Sequence, residues 1–553
     1  MRRTAERISV LVADREFVAA DGAADIDRAV QEALARAAGR PGKHAGVVAE
    51  TASSLRRTWF DTFDWRLHRA GFALQRTERA KAAASGRLTL TTRDDVLTVA
   101  APPQTHTIAR AAYPLDAVVP AGPMRGLLEP VVEMRALVPV ATQRFVVRSY
   151  RVLNDDEKTV ARVVIEQPVG GRSGEASSTR SRVSVVASRG YSAEAAVTAR
   201  IIAKVSGLTS SDKSALAEAL TATGRTPGDY SSKLDIALSA NMPTEYAVRR
   251  IMRALLDAAQ RNLPGVVART DTEFLHDLRV AVRRARSTLK VTEGALPVAQ
   301  TEAAIVALKW LGDLTTPMRD LDVYLLGLDG LAAEVTAPGW DASQLEPFRD
   351  FLVAAQAAAH VVLVRTFRSA RAKRAFAAWA AVSTDGERPT DEVGPARPAG
   401  TQVDWVAKSA VTRAFKRVIK AGARIGADSP PNDLHDLRKR CKELRYSLEI
   451  FGSLHSAAAQ RALIDDLKKL QDCLGEFQDT EVQQHAIRTF AAQMLAVDAS
   501  NPATVEAVMA MGRLADRLGE RQIVARGTFA LLFERFAGPR PRAHLAALYE
   551  RAS

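Results

Sequence analysis

The sequence predicts an α+β, barrel-like region built on an antiparallel sheet, followed by an all-α region that is a duplicated helical bundle. Three observations predict it. Short β-branched runs separated by turn signals recur up to about residue 225; helical periodicity is nearly continuous from Glu245; and the helical part repeats itself at a fixed offset.

The strand runs are Arg7–Val12, Arg87–Thr92, Val96–Ala100, Phe145–Leu153, Val160–Ile165 and Arg182–Ala187, several alternating polar and apolar as half-exposed strands do. Asn154-Asp155-Asp156 between two of them reads as a hairpin turn. Thr226 to Ser232, with Pro and Gly at its start, reads as part of a linker. Amphipathic helical segments then cover 245–262, 272–292, 301–328, 344–382, 403–425, 433–453, 456–495 and 502–537. The expected boundaries are a first domain at 1–222, a linker at 223–242 and a helical domain at 243–540. Its halves, about 243–383 and 402–540, are joined by the Pro/Gly-rich loop 384–401.

The repeat is ungapped. HDLRVAVRRARSTLKVTE from His276 aligns with HDLRKRCKELRYSLEIFG from His435, 159 residues on. Asp320-Leu-Asp-Val aligns with Asp479-Thr-Glu-Val, so each histidine precedes its aspartate by 44 residues. A constant spacing across several helices points to duplication of a helical unit.

Composition narrows the chemistry. The 553 residues are long enough for two or more domains, each with its own core. Two cysteines, Cys441 and Cys473, exclude a disulfide framework and a Cys-rich zinc site. The first residues contain no apolar run of signal-peptide length, and nowhere do 18 uninterrupted apolar residues occur. A soluble, cytoplasmic protein with no membrane partner is therefore expected. The net charge is +14, which favours an anionic partner if the charge is concentrated rather than scattered.

It is concentrated. His276, Arg279, Arg283, Arg286 and Lys290 stand at offsets 0, 3, 7, 10 and 14; His435, Arg438, Lys442 and Arg445 repeat the first four. At 100° per residue these offsets fall within a sector of roughly 80°, and the apolar stripe through Leu278, Val282, Ala285 and Leu289 is centred about 110° away. The cations therefore emerge along the edge of the core-facing side, where a groove between helices would lie. Like charges one turn apart repel, so the pattern costs stability unless an anion neutralises it. Each histidine is either an anion ligand or a structural anchor; metal binding lacks the companion His-x-x-His or Glu-x-x-His spacing. Asp320 and Asp479 read as partners for Arg or Lys rather than as catalytic acids.

These features resemble the CHAD domain over about residues 243–540. The likeness is carried by His-x-x-Arg-x-x-x-Arg/Lys-x-x-Arg in both halves, Arg-Asp-Leu-Asp-Val at 319–323 and Leu-Gln-x-x-Leu-Gly-x-x-Gln-Asp at 470–479. The resemblance implies two four-helix bundles related by pseudo-twofold symmetry, inorganic polyphosphate bound in a basic groove, and association with polyphosphate granules. The first region resembles the CYTH, or triphosphate-tunnel, fold through Trp59 to Arg76, Arg87-Leu-Thr-Leu90, and Leu137 to Ile165. Active members hold triphosphate with basic residues and divalent metal with glutamates, under an N-terminal Glu-x-Glu-x-Lys signature.

Here Arg7–Val12, the expected first strand, lacks that signature, and a late Glu-x-Glu is replaced by Arg182-Val-Ser-Val-Val. Arg76, Arg144 and Arg148 remain as candidate phosphate ligands. Mg²⁺ or Mn²⁺ needs hard oxygen donors, so the expectation is a non-catalytic tunnel-like domain: no catalytic residues, no metal site, no required cofactor, and divalent metal only if that domain were active.

Polyphosphate binding is thus the leading expectation. Nucleic acid is the first alternative, weakened because Tyr446 is the one aromatic in either stripe. Triphosphate hydrolysis is the second, weakened by the missing acids.

Overall fold

The computed structural model describes residues 15–20, 25–38, 46–79, 82–92, 96–101, 112–169, 180–210, 214–222, 224–231, 236–335, 339–384 and 401–549. The chain divides into two compact units, Met1–Ser231 and Ser232–Ser553.

The first unit is a single antiparallel sheet with helices packed on it. Its strands are β1 (Arg15–Ala19), β2 (Gly46–Ala49), β3 (Ser53–Thr62), β4 (Ala73–Arg79), β5 (Ala82–Thr91), β6 (Val96–Ala101), β7 (Leu137–Leu153), β8 (Thr159–Pro168), β9 (Arg182–Ala187) and β10 (Leu208–Ser210). The spatial order is β10-β1-β9-β8-β7-β3-β4-β5-β6, with β2 added on β7. The hairpin between β7 and β8 closes as expected: the Lys158 amide donates to Asn154 Oδ1 at 2.9 Å, and Glu157 takes a positive φ of 58°. The run Arg7–Val12 lies outside the described residues. The first described strand is Arg15–Ala19, which brings Glu16 onto the sheet.

Strand alternation separates two faces. One buries Phe17, Val152, Val163, Ile165, Val183 and Val185 against the helices Ile26–Ala37 and Ser192–Ile202. Farther along it, Phe60, Leu74, Leu88 and Leu90 pack on the helix Pro123–Val132. The opposite face bears Glu16, Arg57, Glu166 and Arg182, consistent with the register Arg57↔Gln143, Val147↔Glu166 and Glu166↔Arg182.

The second unit is helical: α1 (Thr244–Ala268), α2 (Thr272–Val291), α3 (Val298–Ala333), α4 (Glu346–Phe367), α5 (Ala370–Ala381), α6 (Val403–Gly422), α7 (Pro431–Ile450), α8 (Ala457–Asp498), α9 (Pro502–Ala537) and α10 (Pro539–Ala547). The starts of α1, α2 and α3 recur at the starts of α6, α7 and α8, each 159 residues on, so the repeat is one of structure as well as sequence. The segment expected as one helix over 344–382 is two, because Ser369 caps α5 by accepting from the Ala372 amide at 3.3 Å.

Two cores hold the second repeat and the junction between repeats. Val411, Phe415, Leu437, Cys441, Leu444, Leu448, Leu463, Leu467 and Phe529 form one among α6, α7, α8 and α9. The other joins the far ends of α3 and α4 to those of α8 and α9 through Leu321, Leu328, Phe348, Leu352, Met494, Met511 and Leu514. Burying each such side chain contributes roughly 1.5–3 kcal/mol, so the halves are locked at this end rather than merely tethered. Among the described residues one helical stretch, Ala342–Phe367, is long and apolar enough to cross a membrane by length and composition. Its Leu345, Phe348 and Leu352 belong to that joint core.

Candidate functional site

Helices α2 and α7 present the two basic stripes because their apolar faces are consumed by the core. Leu278, Val282, Ala285 and Leu289 are buried on α2, as are Leu437, Cys441, Leu444 and Leu448 on α7. The two helices lie against each other. Arg284 of α2 donates to Glu449 of α7 at 2.8 Å, and the Arg283 guanidinium stands 5.7 Å from the centre of the Tyr446 ring. The stripes therefore approach one another along this pair of helices.

Arg279 is half-buried on α2. Its guanidinium donates to the Gly312 carbonyl at 3.0 Å and to Thr315 Oγ1 and Thr316 Oγ1 at 2.8 and 3.0 Å, which ties it to α3. Burial pulls its pKa below the usual guanidinium value, with Arg283 and Arg319 adding to the fall and Asp320 opposing it. In the second repeat Arg438 donates to Gln478 Oε1 at 2.9 Å and stands 3.1 Å from an Asp479 carboxylate oxygen. Lys442 is the most perturbed cation. Burial, then the Arg438 and Arg283 charges, pulls its pKa down to about 8. A protein that spends free energy holding cations this close is poised for an anion.

The remaining expected residues divide. His435 Nε2 stands 3.2 Å from Glu481 Oε2, and Arg445 Nε donates to Glu449 at 2.8 Å. His276 is half-buried on α2; Arg286, half-buried, and Lys290, exposed, make no ion pair among the described residues. Residues that the stripe pattern does not contain also belong here. Asp320 and Asp479 both raise the pKa of Tyr324, which burial above all pushes up to about 12, so the two equivalent acids converge on one phenol. Arg319 Nη1 is buried without a hydrogen-bond partner among the described residues. Glu449 stands where the repeat places Lys290 in the first half.

In the first unit, Arg76 is buried and pairs with Glu78 at 3.1 Å; Arg56 bonds the same carboxylate. Arg144 is opposite Arg56 in the register, on the face that also carries Leu74 and Leu88. Neither shares the face that carries Arg57 and Arg182. On that face Arg57 bonds both oxygens of Glu166 at 2.6 and 3.1 Å, and Arg182 bonds Glu16 at 2.8 Å and Glu218 at 3.2 Å. Its charges are satisfied by one another. No group of three or more His, Cys, Asp or Glu side chains suited to a metal occurs among the described residues.

Family comparison bears on the helical unit. Residues 250–488 match the model of the CHAD domain. The match covers both basic helices and the Asp320 and Asp479 motifs. Among curated proteins, Rv2226 of Mycobacterium tuberculosis, an uncharacterized protein, is 27% identical over 294 residues, 49% of this chain and 53% of that protein. A second uncharacterized protein from another strain of that organism, MT2285, is 26% identical over the same length. The chain spans about half the length of the curated relatives it matches. Among solved structures, the CHAD domain from the plant Ricinus communis is 24% identical with a TM-score of 0.43, covering 57% of this chain and 96% of its own. PptA from Streptomyces chartreusis is 20% identical with a TM-score of 0.40, covering 53% of this chain and all of its own.

Proposed function

We propose that the CHAD region binds inorganic polyphosphate in the groove between α2 and α7. The observation that carries this reading is the meeting of the two stripes, with Arg283 over the Tyr446 ring, Arg284 bonded to Glu449, and the Lys442 pKa lowered by burial first and then by the Arg438 and Arg283 charges. Polyphosphate is a dense line of charge without bases. Arginine engages phosphate oxygens in bidentate fashion and lysine acts as a point charge, and Tyr446 lies under Arg283. The pseudo-symmetric pairing of two four-helix bundles would extend such a groove across both halves, and the bound polymer would bring the protein to polyphosphate granules. The first unit we read as a tunnel-like scaffold whose charged face is closed by its own Arg–Glu pairs, and which neither binds metal nor hydrolyses triphosphate.

The test is charge reversal at Arg279, Arg283, Arg438 and Lys442 together, read by calorimetric titration with long-chain polyphosphate. Each lost charge-assisted contact is worth about 1.5–3 kcal/mol, so binding is expected to disappear while the helical circular dichroism persists. Unchanged affinity with intact helicity overturns the proposal.

A further inference from the structure

The outer face of α6 carries a second concentration of positive charge that the groove does not use. The inner face of this helix, with Val403, Val406, Ala407, Val411, Phe415 and Val418, is buried. Facing solvent are Lys408, Arg413, Lys416, Arg417 and Lys420, together with Trp405, which is 62% exposed. They line a recess of about 560 Å³. From Trp405 to Lys420 the helix rises about 22 Å.

Nothing in the described structure neutralises this face. None of the five cations makes an ion pair among the described residues, and Asp404 is the one acid in the helix. Arg413 and Arg417, and Lys416 and Lys420, are i, i+4 pairs of like charge, each mildly destabilising. The equivalent helix of the first repeat carries less net charge on this face. There Tyr246 takes the place of Trp405 and is 47% exposed, but Asp257 takes the place of Lys416, and Ala254 and Ala258 those of Arg413 and Arg417. The two arginines kept at equivalent places are paired, Arg249 with Glu245 and Arg261 with Asp257, each at 2.8 Å. Arg250 and Arg253 stand at the places of Ser409 and Thr412, so the first copy sets four arginines against Glu245 and Asp257, whereas the second sets five cations beside a more exposed indole with Asp404 as the one acid of its helix.

We propose that the outer face of α6 binds single-stranded nucleic acid, with Trp405 stacking one base and Arg413, Lys416, Arg417 and Lys420 taking the backbone phosphates. The indole is the discriminating feature. Polyphosphate has no flat apolar surface to lay on it, whereas every base does, and an aromatic platform beside a cationic track is the minimal equipment for sequence-tolerant strand binding. An anionic membrane is the less suitable partner. An interfacial helix buries its apolar face in lipid, and the apolar face of α6 is already committed to the protein core. The site is separate from the polyphosphate groove, and the inference does not depend on that reading.

The experiment uses the full chain and a short fluorescein-labelled oligouridine followed by anisotropy, with long-chain polyphosphate and phosphatidylserine-containing vesicles as the other probes. Stacking on an aromatic is worth about 1–3 kcal/mol per base, so Trp405→Ala is expected to weaken oligouridine binding by about 5- to 150-fold and to leave polyphosphate affinity unchanged. The double reversal Lys416→Glu with Lys420→Glu should abolish oligouridine binding. The four-residue groove variant should retain it. Both α6 changes lie on the exposed face, and unchanged thermal unfolding will show that they act locally. The proposal is overturned if Trp405→Ala leaves oligouridine affinity intact, or if the groove variant alone removes it. It is equally overturned if Trp405 supports vesicle binding while oligouridine does not bind.

Discussion

The two basic helices are copies in sequence but not in electrostatics. From the histidine through the third cation their registers coincide, and Arg279 and Arg438 lie beside the equivalent acids Asp320 and Asp479. Beyond that point they part. Where α2 continues with Lys290, α7 has Glu449, which bonds Arg445 of its own helix and Arg284 of the other. A second divergence lies at the opposite end: Glu481 stands against His435, whereas its counterpart Asp322 accepts from Gln356 at 2.6 Å. The two tracks are unequal, because part of the α7 track is tied up in internal ion pairs. A groove of this kind has a free end and a self-neutralised end.

The largest test of that asymmetry compares the two free cations with the tied one. Reversing Arg286 and Lys290 to Glu should weaken polyphosphate binding by about tenfold or more, since both cations are available to phosphate at the scale of a charge-assisted hydrogen bond. Reversing Arg445 should cost about two- to threefold, because Glu449 already compensates that charge. Titration at two salt concentrations reads both effects, and the shallower salt slope belongs to the first variant. Equal losses would mean that bound polymer breaks the Arg445–Glu449 pair.

Much of this was legible in the sequence. The 3.6-residue period and the constant offset of 159 place α2 and α7 to within three residues of their observed ends. The break at Arg368–Ser369 was not, because the apolar pattern runs through it and only the Ser369 cap marks the boundary. Glu16 escaped notice because Arg7–Val12 is the stronger strand pattern, and alternation seven residues upstream drew the expectation away from Arg15–Ala19. Asp320 and Asp479 were legible as ion-pair partners, but not as two charges acting on one tyrosine. Their meeting at Tyr324 depends on α3 and α8 packing together, which no local pattern states. Glu449 was in plain view at the register of Lys290 and is informative only once Arg284 is seen to cross to it.

Lys442 gives a pH test of intermediate size. Its pKa is lowered to about 8, by burial first and then by Arg438 and Arg283, with Asp479 opposing. Raising the pH from 7 to 9 therefore removes a groove cation, and polyphosphate affinity should fall, by up to about tenfold per unit of pKa change that binding imposes. Lys442→Arg keeps its charge across that range and should abolish the dependence, as measured by titration at each pH. Stability moves the other way. Between about 8 and the usual lysine value the unfolded chain binds the proton that the folded chain has lost, so folding is favoured as pH rises through that window. Chemical denaturation of the wild type against Lys442→Arg isolates this contribution.

The smallest effect concerns the pair that joins the two tracks. Arg284 and Glu449 are each about one-sixth exposed, at 15% and 17%, and meet at 2.8 Å across the two repeats. Arg284→Ala removes one charge-assisted bond, but Glu449 keeps Arg445, so no carboxylate is left stranded. The expected loss is about 1 kcal/mol, below the value for a wholly unpaired buried charge. Arg445→Ala alone should cost a similar amount for the same reason, while removing both arginines should cost more than the sum, because Glu449 then has neither partner. A double-mutant cycle by urea denaturation measures that excess. If the two losses simply add, Glu449 is well solvated when unpaired, and the closed end of the groove is less dry than its burial implies.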